Sequence, residues 1–212
     1  MPTSNKIWTF PSKDDDLLPY MINGSYQDLH RKKILDFLKE NSCRFRNCLD
    51  IGAHVGIWSD DFTKVFEHVH AFEPIEDLRT CFKQNVHGNN YTMYPFGLGN
   101  STTRINFLYE PEKSKNTQVN EQGNYSAEIK RLDDLGLQDI DYIKMDAEGY
   151  ELQILKGGTK LLEDQSPFVH LEIKNRQLKK FSLSKKNIHD FMNNVGYKLK
   201  LKFINEYVFS KQ

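Results

Sequence analysis

The residues of this chain best placed to do chemistry are acids that each end an apolar run. Cys48-Leu49-Asp50-Ile51-Gly52-Ala53-His54-Val55-Gly56 sets a carboxylate at a strand end, then a small-residue turn, then a helix start. Glycines at such a turn let backbone N–H groups approach a ligand closely, and a helix N-terminus adds partial positive charge. Glu73, 23 residues after Asp50, ends the next apolar run and is followed by Pro74. An acid there can accept hydrogen bonds from both hydroxyls of a ribose. Asp146-Ala147-Glu148-Gly149-Tyr150-Glu151 follows the run YIKM and gathers three more carboxylates. His170-Leu171-Glu172 puts an imidazole and a carboxylate on one face of a strand, with Glu172 nearer the ligand edge. Together these residues can orient an acceptor and take its proton beside a loop shaped for a nucleoside cofactor.

The dinucleotide fingerprint G-x-G-x-x-G needs glycine where this chain has His54, and Asp50 would repel a pyrophosphate, so NAD is disfavoured. An acid ahead of a glycine-rich turn suits a cationic or amino-acid-like group instead, such as the methionyl part of S-adenosylmethionine (SAM). Each motif alone has an ordinary structural explanation. Gly52 and Gly56 can simply make a tight turn, and Glu148 and Glu151 can simply favour the start of the next helix. Their succession in consecutive strand–helix units argues for a ligand. No His/Cys cluster or compact ligand motif is present, so no metal site is assigned; Asp146, Glu148 and Glu172 would offer a divalent ion hard oxygen ligands only if they converge.

The elements that must position these residues alternate. A helix over 26–41 has Tyr26, Ile34, Phe37 and Leu38 on one face, with Arg31, Lys32, Lys33, Lys39 and Glu40 mostly elsewhere. NCLDIG reads as a buried strand, 57–66 as a helix, HVHAFEP as a second strand, 78–86 as a helix and YTMYPFGLG as a third strand. An extra strand over 103–109 leads into 110–124, polar and aperiodic, the composition of a lid loop. DYIKMD is the fourth core strand, followed by one helix with Leu152, Leu155, Thr159 and Leu162 on a face, and PFVHLEI is the fifth. Ile188, Phe191, Met192 and Val195 mark a helix at i, i+3, i+4 and i+7. Tyr197, Leu199, Leu201 and Phe203 alternate with lysines, which reads as an edge strand, and the short link before EYVFS requires an antiparallel return. The expectation is an α/β fold: a Rossmann-like, mostly parallel sheet with helices on both faces and an antiparallel C-terminal hairpin.

The 212 residues carry 29 Lys+Arg and 29 Asp+Glu, so a general electrostatic hold on nucleic acid is not expected. With 38% hydrophobic residues there is enough for a packed core, and no stretch is apolar for long enough to span a membrane. Three cysteines without Cys-x-x-Cys spacing, and an N-terminus without a secretory pattern, point to the cytoplasm.

The order LDIGAHVG, AFEP, RLDDL, YIKMDAEGYELQILKGG and PFVHLEI resembles the FkbM-type SAM-dependent methyltransferases, a branch of the class I methyltransferases. The resemblance covers residues 47–174, with IKMDAEGYELQILKGG its most specific part; class I methyltransferases also end in an antiparallel hairpin. It implies an O-methyltransferase acting on a hydroxyl of a sugar, glycan or other small molecule. Asp50, Gly52, Ala53 and Gly56 would hold the methionyl end of SAM, Glu73 with Pro74 the ribose, and Phe96, Gly97 and Leu98 the adenine side. Asp146 and Glu148 would face methyl donor and acceptor, with Glu172 and His170 as further candidates for the base. The family's usual Asn in the glycine loop is His54 here, which would cap the helix or touch SAM. Residues 1–45 would form a substrate cover and 46–212 the methyltransferase domain. Acceptor contacts would come from 2–33 and 110–124, with Trp8, Tyr109 and Tyr125 as aromatic candidates. Base-amino methylation usually shows Asn/Asp-Pro-Pro-aromatic where this chain has DAEG, which weakens an N-methyltransferase; a non-catalytic SAM-binding module is the other alternative.

Overall fold

Helix α1 (Leu18–Ile22) and helix α2 (Asp28–Glu40) precede the sheet in a computed structural model that describes residues 6–13, 15–22 and 27–211. Ile34 and Leu38 of α2 are fully buried and pack with Trp58 and Phe62, each such side chain stabilising the fold by about 2 kcal/mol. Arg31, read as outward, is buried instead, because its Nε reaches Asp61 at 2.7 Å. Tyr26 lies outside the described residues. Strand β1 (Asn47–Ile51), helix α3 (Ile57–Phe62), β2 (His68–Phe72) and α4 (Glu76–Asn85) follow from their apolar spacing, except that α3 is shorter than 57–66 and α4 begins two residues before 78; β3 (Tyr91–Tyr94) comes next. In α4 the buried residues Leu78, Cys81, Phe82 and Asn85 repeat at helical spacing.

The third strand departs from the expectation. Pro95 lacks an N–H to donate, and after it the chain leaves β3 for β4 (Gly97–Leu98), which belongs to a second sheet. That sheet also contains β5 (Thr103–Leu108), β6 (Gln118–Val119) and β7 (Tyr125–Lys130), in the order β4-β7-β5-β6. Residues 110–124 are therefore not one structureless loop: they hold a 3₁₀ segment (Pro111–Asn116) and β6. Strand β7, whose Ala127 and Ile129 alternate inward, has no counterpart in the sequence reading.

Strand β8 (Ile140–Met145) returns to the main sheet. Two short helices, α5 (Glu151–Gly157) and α6 (Thr159–Gln165), replace the single one expected, breaking at Gly158. Then come β9 (Phe168–Glu172), α7 (Asn175–Leu178), α8 (Lys185–Asn194), β10 (Lys198–Phe203) and β11 (Glu206–Ser210). The main sheet has seven strands in the order β10-β11-β9-β8-β1-β2-β3; β11 pairs antiparallel with both its neighbours and the other pairings are parallel. Neighbouring residues of one strand enter different apolar clusters, Cys48 against Leu49 and Tyr142 against Ile143, so both faces are covered, as a parallel sheet requires. The lysine-flanked β10 is the edge, although its Leu199 is 40% exposed rather than half-buried. Among the described residues no helix is long and apolar enough to cross a membrane.

Register sets the site. Ile51 pairs with both Phe72 and Met145, and Met145 pairs with Leu171, so Gly52, Glu73, Asp146 and Glu172 each stand one residue beyond, in a row along the C-terminal edge. The strand order reverses across β1 and β8, the place where open α/β sheets bind ligands. Gly52 makes this crowding feasible: its φ is +76°, and a Cβ there would lie 2.0 Å from the Asp146 carbonyl oxygen. Gly52→Ala is expected to cost more than about 2 kcal/mol, from a strained φ plus a backbone clash. The check is a urea titration, and an unchanged midpoint would contradict so close an approach of β1 to β8.

Candidate active site

A cleft of about 760 Å³ opens above this edge, in the range that holds a cofactor or small ligand. Gly52, Ala53 and His54 form part of its floor. Their backbone N–H groups are not offered to a ligand, contrary to expectation. Gly52 and Ala53 both donate to the Phe72 carbonyl at 3.1 Å, and His54 donates to Glu73 Oε2 at 3.0 Å. Gly56 does not line the cleft; it starts α3 at φ +93° against Val86 and Phe82. Asp50 is likewise set back from the cleft and fully buried, accepting a 2.6 Å hydrogen bond from Ser59 and lying 3.5 Å from Lys144 Nζ. It anchors Lys144, and Lys144 reaches the cleft.

Glu73 faces the cleft from the end of β2, with Pro74 beside it. Burial pushes its carboxyl up to about 7, against the N–H groups of Ile75 and His54 that bind it. Gly97 and Leu98 line the cleft too, with Gly97 close to Pro74. Phe96 does not, because it turns into the core against Phe72 and Tyr94.

Asp146, Glu148 and Glu172 converge: one carboxylate oxygen from each lies within 4.8 Å of the others. A cation already serves them. Lys174 Nζ is 3.1 Å from Glu148 and 2.7 Å from Glu172. Burial works against ionisation of Asp146, but Lys144 and Lys174 outweigh it and hold the carboxyl below its ordinary value. Burial and the Asp146 charge push Glu172 the other way, to about 10, so it carries a proton and donates it to Asp146. Burial and Asp146 also raise Glu148, whose other oxygen accepts a 2.8 Å bond from Gln177 Nε2. Gln177 Oε1, buried at the cleft, has no partner among the described residues. Glu148 has φ +50°, a conformation costly for a non-glycine residue and frequent at functional turns. Glu151 braces that turn: it is buried and accepts the N–H groups of Ala147 and Gly149, each at 3.0 Å. The two lysines had no place in the sequence reading; Lys144, an ionisable residue inside the buried run YIKM, was the available signal.

His170 is not at the site. It is 1% exposed, between the Tyr142 hydroxyl and Glu206 Oε2, both at 2.7 Å.

His54 does not cap α3. Its Nε2 lies 2.8 Å from Ser114 Oγ, and the Ser114 hydroxyl donates to Asp15, so the histidine is the donor in the first of these bonds. Burial depresses its pKa to about 4, consistent with the neutral ring this chain of bonds needs. The chain joins the glycine loop to the 3₁₀ segment and to the residues before α1, which roof the cleft with Leu17, Tyr20 and Lys115. The aromatic candidates Trp8, Tyr109 and Tyr125 are spent elsewhere: Lys6 lies over Trp8, Tyr109 donates to Asp77, and Tyr125 accepts from the Glu76 N–H. Tyr20, Trp58 and Tyr150 line the cleft instead.

A sheet of this order, with one antiparallel strand inserted beside the edge and a cleft over its C-terminal row, defines a class I methyltransferase fold. Within that class the chain belongs to the methyltransferase FkbM domain family, which matches residues 50–199. Among solved structures, methyltransferase FkbM from Methylobacillus flagellatus KT is similar at 19% identity and TM-score 0.56, over 82% of this chain and 46% of that one. The chain thus spans under half the length of that relative. A putative caffeoyl-CoA O-methyltransferase from Staphylococcus aureus is similar at 16% identity and TM-score 0.56, over 94% and 91% of the two chains. Magnesium protoporphyrin IX methyltransferase from Synechocystis PCC 6803, solved with bound SAM, is similar at 12% identity and TM-score 0.54, over 92% and 82%. At these identities the likeness is one of fold. No curated protein sequence matches the chain.

Glu151 provides a test of the acidic turn. Burial raises its carboxyl from 4.5 to about 7, so between those values the folded state keeps a proton that the unfolded chain has lost. Its contribution to stability is complete below pH about 4.5 and is lost as pH rises to about 7. Glu151→Gln should flatten that part of the stability–pH curve by a few kcal/mol at most. Urea midpoints measured from pH 4.5 to 8 check this, and an identical slope in the variant would relieve Glu151 of its buried role.

Proposed function

We propose that the protein transfers a methyl group from SAM to a hydroxyl of a sugar, glycan or other small acceptor, with residues 46–212 as the transfer unit and the segment before them as its cover. The observation that carries this reading is the row of Gly52, Glu73, Asp146 and Glu172 around one cleft. The donor set suits the cofactor: a buried acid at the end of β2 for ribose hydroxyls, small residues at the end of β1, and an ionised Asp146 for a sulfonium. The engagement of the Gly52, Ala53 and His54 amides within the protein fits a ligand without a pyrophosphate. When bound, SAM supplies an electrophilic methyl carbon.

The protein's part is alignment and proton removal. Asp146, kept ionised by Lys144 and Lys174, holds negative charge at the strand edge. Glu172 carries a proton and cannot start as the base. Glu148, raised by burial and the Asp146 charge and lining both the cleft and the space beyond it, would take the proton of the acceptor hydroxyl. Lys174 bridges two of the three carboxylates and fills the role a divalent ion would have, so turnover is expected to survive EDTA. The free thiols Cys43, Cys48 and Cys81 fit a reducing compartment, the cytoplasm.

Calorimetric titration should show SAM binding and no NADH binding. With an acceptor found by screening sugars and hydroxylated metabolites, Glu148→Gln should lower kcat about 100- to 10,000-fold while SAM affinity stays within about threefold. Wild-type turnover in that variant would remove Glu148 from the mechanism. Tight SAM binding with no transfer across the screen would favour a non-catalytic SAM-binding module.

A further inference from the structure

The cleft is acidic at its inner end and basic at its outer one. Beyond Glu148 it continues into a side pocket of about 330 Å³ lined by Asn116, Gln118, Glu148, Arg176 and Lys180. Asn116, Gln118, Glu148 and Arg176 line both spaces, so a molecule can occupy the two at once. The inner acids have their cation in Lys174 and do not call on the outer ones. Lys115, also on the roof, is matched by Asp16 at 2.8 Å. Arg176 has no hydrogen-bond or ion-pair partner among the described residues, and Lys180 is hydrogen-bonded to the neutral Gln118. In a chain of zero formal net charge, two cations without a carboxylate partner at one mouth are a local surplus.

We propose that this side pocket is an anion subsite, and that the acceptor is a polyhydroxylated molecule carrying a carboxylate or phosphate group, which Arg176 and Lys180 hold while a neighbouring hydroxyl reaches Glu148. The inference rests on the methyl-transfer reading of the adjoining cleft and adds the chemical class of its acceptor. A guanidinium presents a planar fork of donors that matches either anion, and an ammonium supports it as a point charge. The amides of Asn116 and Gln118 can each donate and accept, which is what vicinal hydroxyls need. Lys174 balances Glu148, so the base does not repel the incoming anion.

The test titrates glucose, glucuronate and glucose 6-phosphate into protein saturated with S-adenosylhomocysteine, for wild type, Arg176→Ala and Lys180→Ala. At least one anion should bind tenfold or more tightly than glucose. Arg176→Ala should weaken it about 10- to 100-fold, the loss of a charged hydrogen-bonding partner, and leave S-adenosylhomocysteine affinity unchanged. The two anion arms separate a carboxylate site from a phosphate site. Anions binding no better than glucose, or no effect of Arg176→Ala, would overturn the subsite. Failure of S-adenosylhomocysteine to bind would instead overturn the cofactor reading, and the anion titrations on the unliganded protein would still report on the pocket.

Discussion

Carboxylates cannot crowd one strand edge without compensating charge, and the site depends on how two lysines supply it. Lys144 rises from the strand beside β1 and is anchored from behind by Asp50; Lys174 follows β9 and bridges Glu148 and Glu172. The lysines hold Asp146 ionised, while burial and the Asp146 charge push Glu172 up to about 10 and raise Glu148, so three chemically similar groups differ in their hold on a proton. Environments that push equivalent groups apart are how a protein assigns acid and base roles from one kind of side chain.

Much of this was legible in the sequence. β1, β2, β8 and β9 are apolar runs that end in acids, and the C-terminal lysine alternation with its short link correctly gave an edge strand and an antiparallel return. What was hidden depends on neighbours that sequence order does not reveal. Asp50 and Glu73 both close apolar runs, but only register tells that the row along the strand edge starts at Gly52, one residue beyond Ile51, leaving Asp50 behind the cleft. His170 and Glu172 share a strand face, yet Glu206, which comes 36 positions after His170, claims the histidine. Gly56 and Phe96 lie in the right motifs and face inward, toward Phe82 and Phe72 respectively. The second sheet escaped notice because Pro95 diverts an apparently continuous strand, and because Tyr125–Lys130 buries only Ala127 and Ile129.

The roof shows how the segment before α2 and the 3₁₀ segment are tied to the glycine loop and the second sheet. Ser114 and Asp15 are almost wholly buried, and their bonds to each other and to His54 tie three distant stretches of chain at one point. Phe10, Leu17 and Met21 then share an apolar cluster with Phe107, Ala127 and Ile129. His54, where the resemblance leads one to expect asparagine, has a structural use: its longer side chain carries Nε2 to Ser114 of the 3₁₀ segment.

The insertion of β11 between β9 and β10 makes one strand the keystone of that side of the sheet. β11 pairs antiparallel with both neighbours, and Glu206 at its start meets His170 across the seam with β9. Without β11, β9 would present a bare edge and His170 would lose its partner, so the flank of the cleft that Glu172 ends is held by a strand whose own residues do not line it.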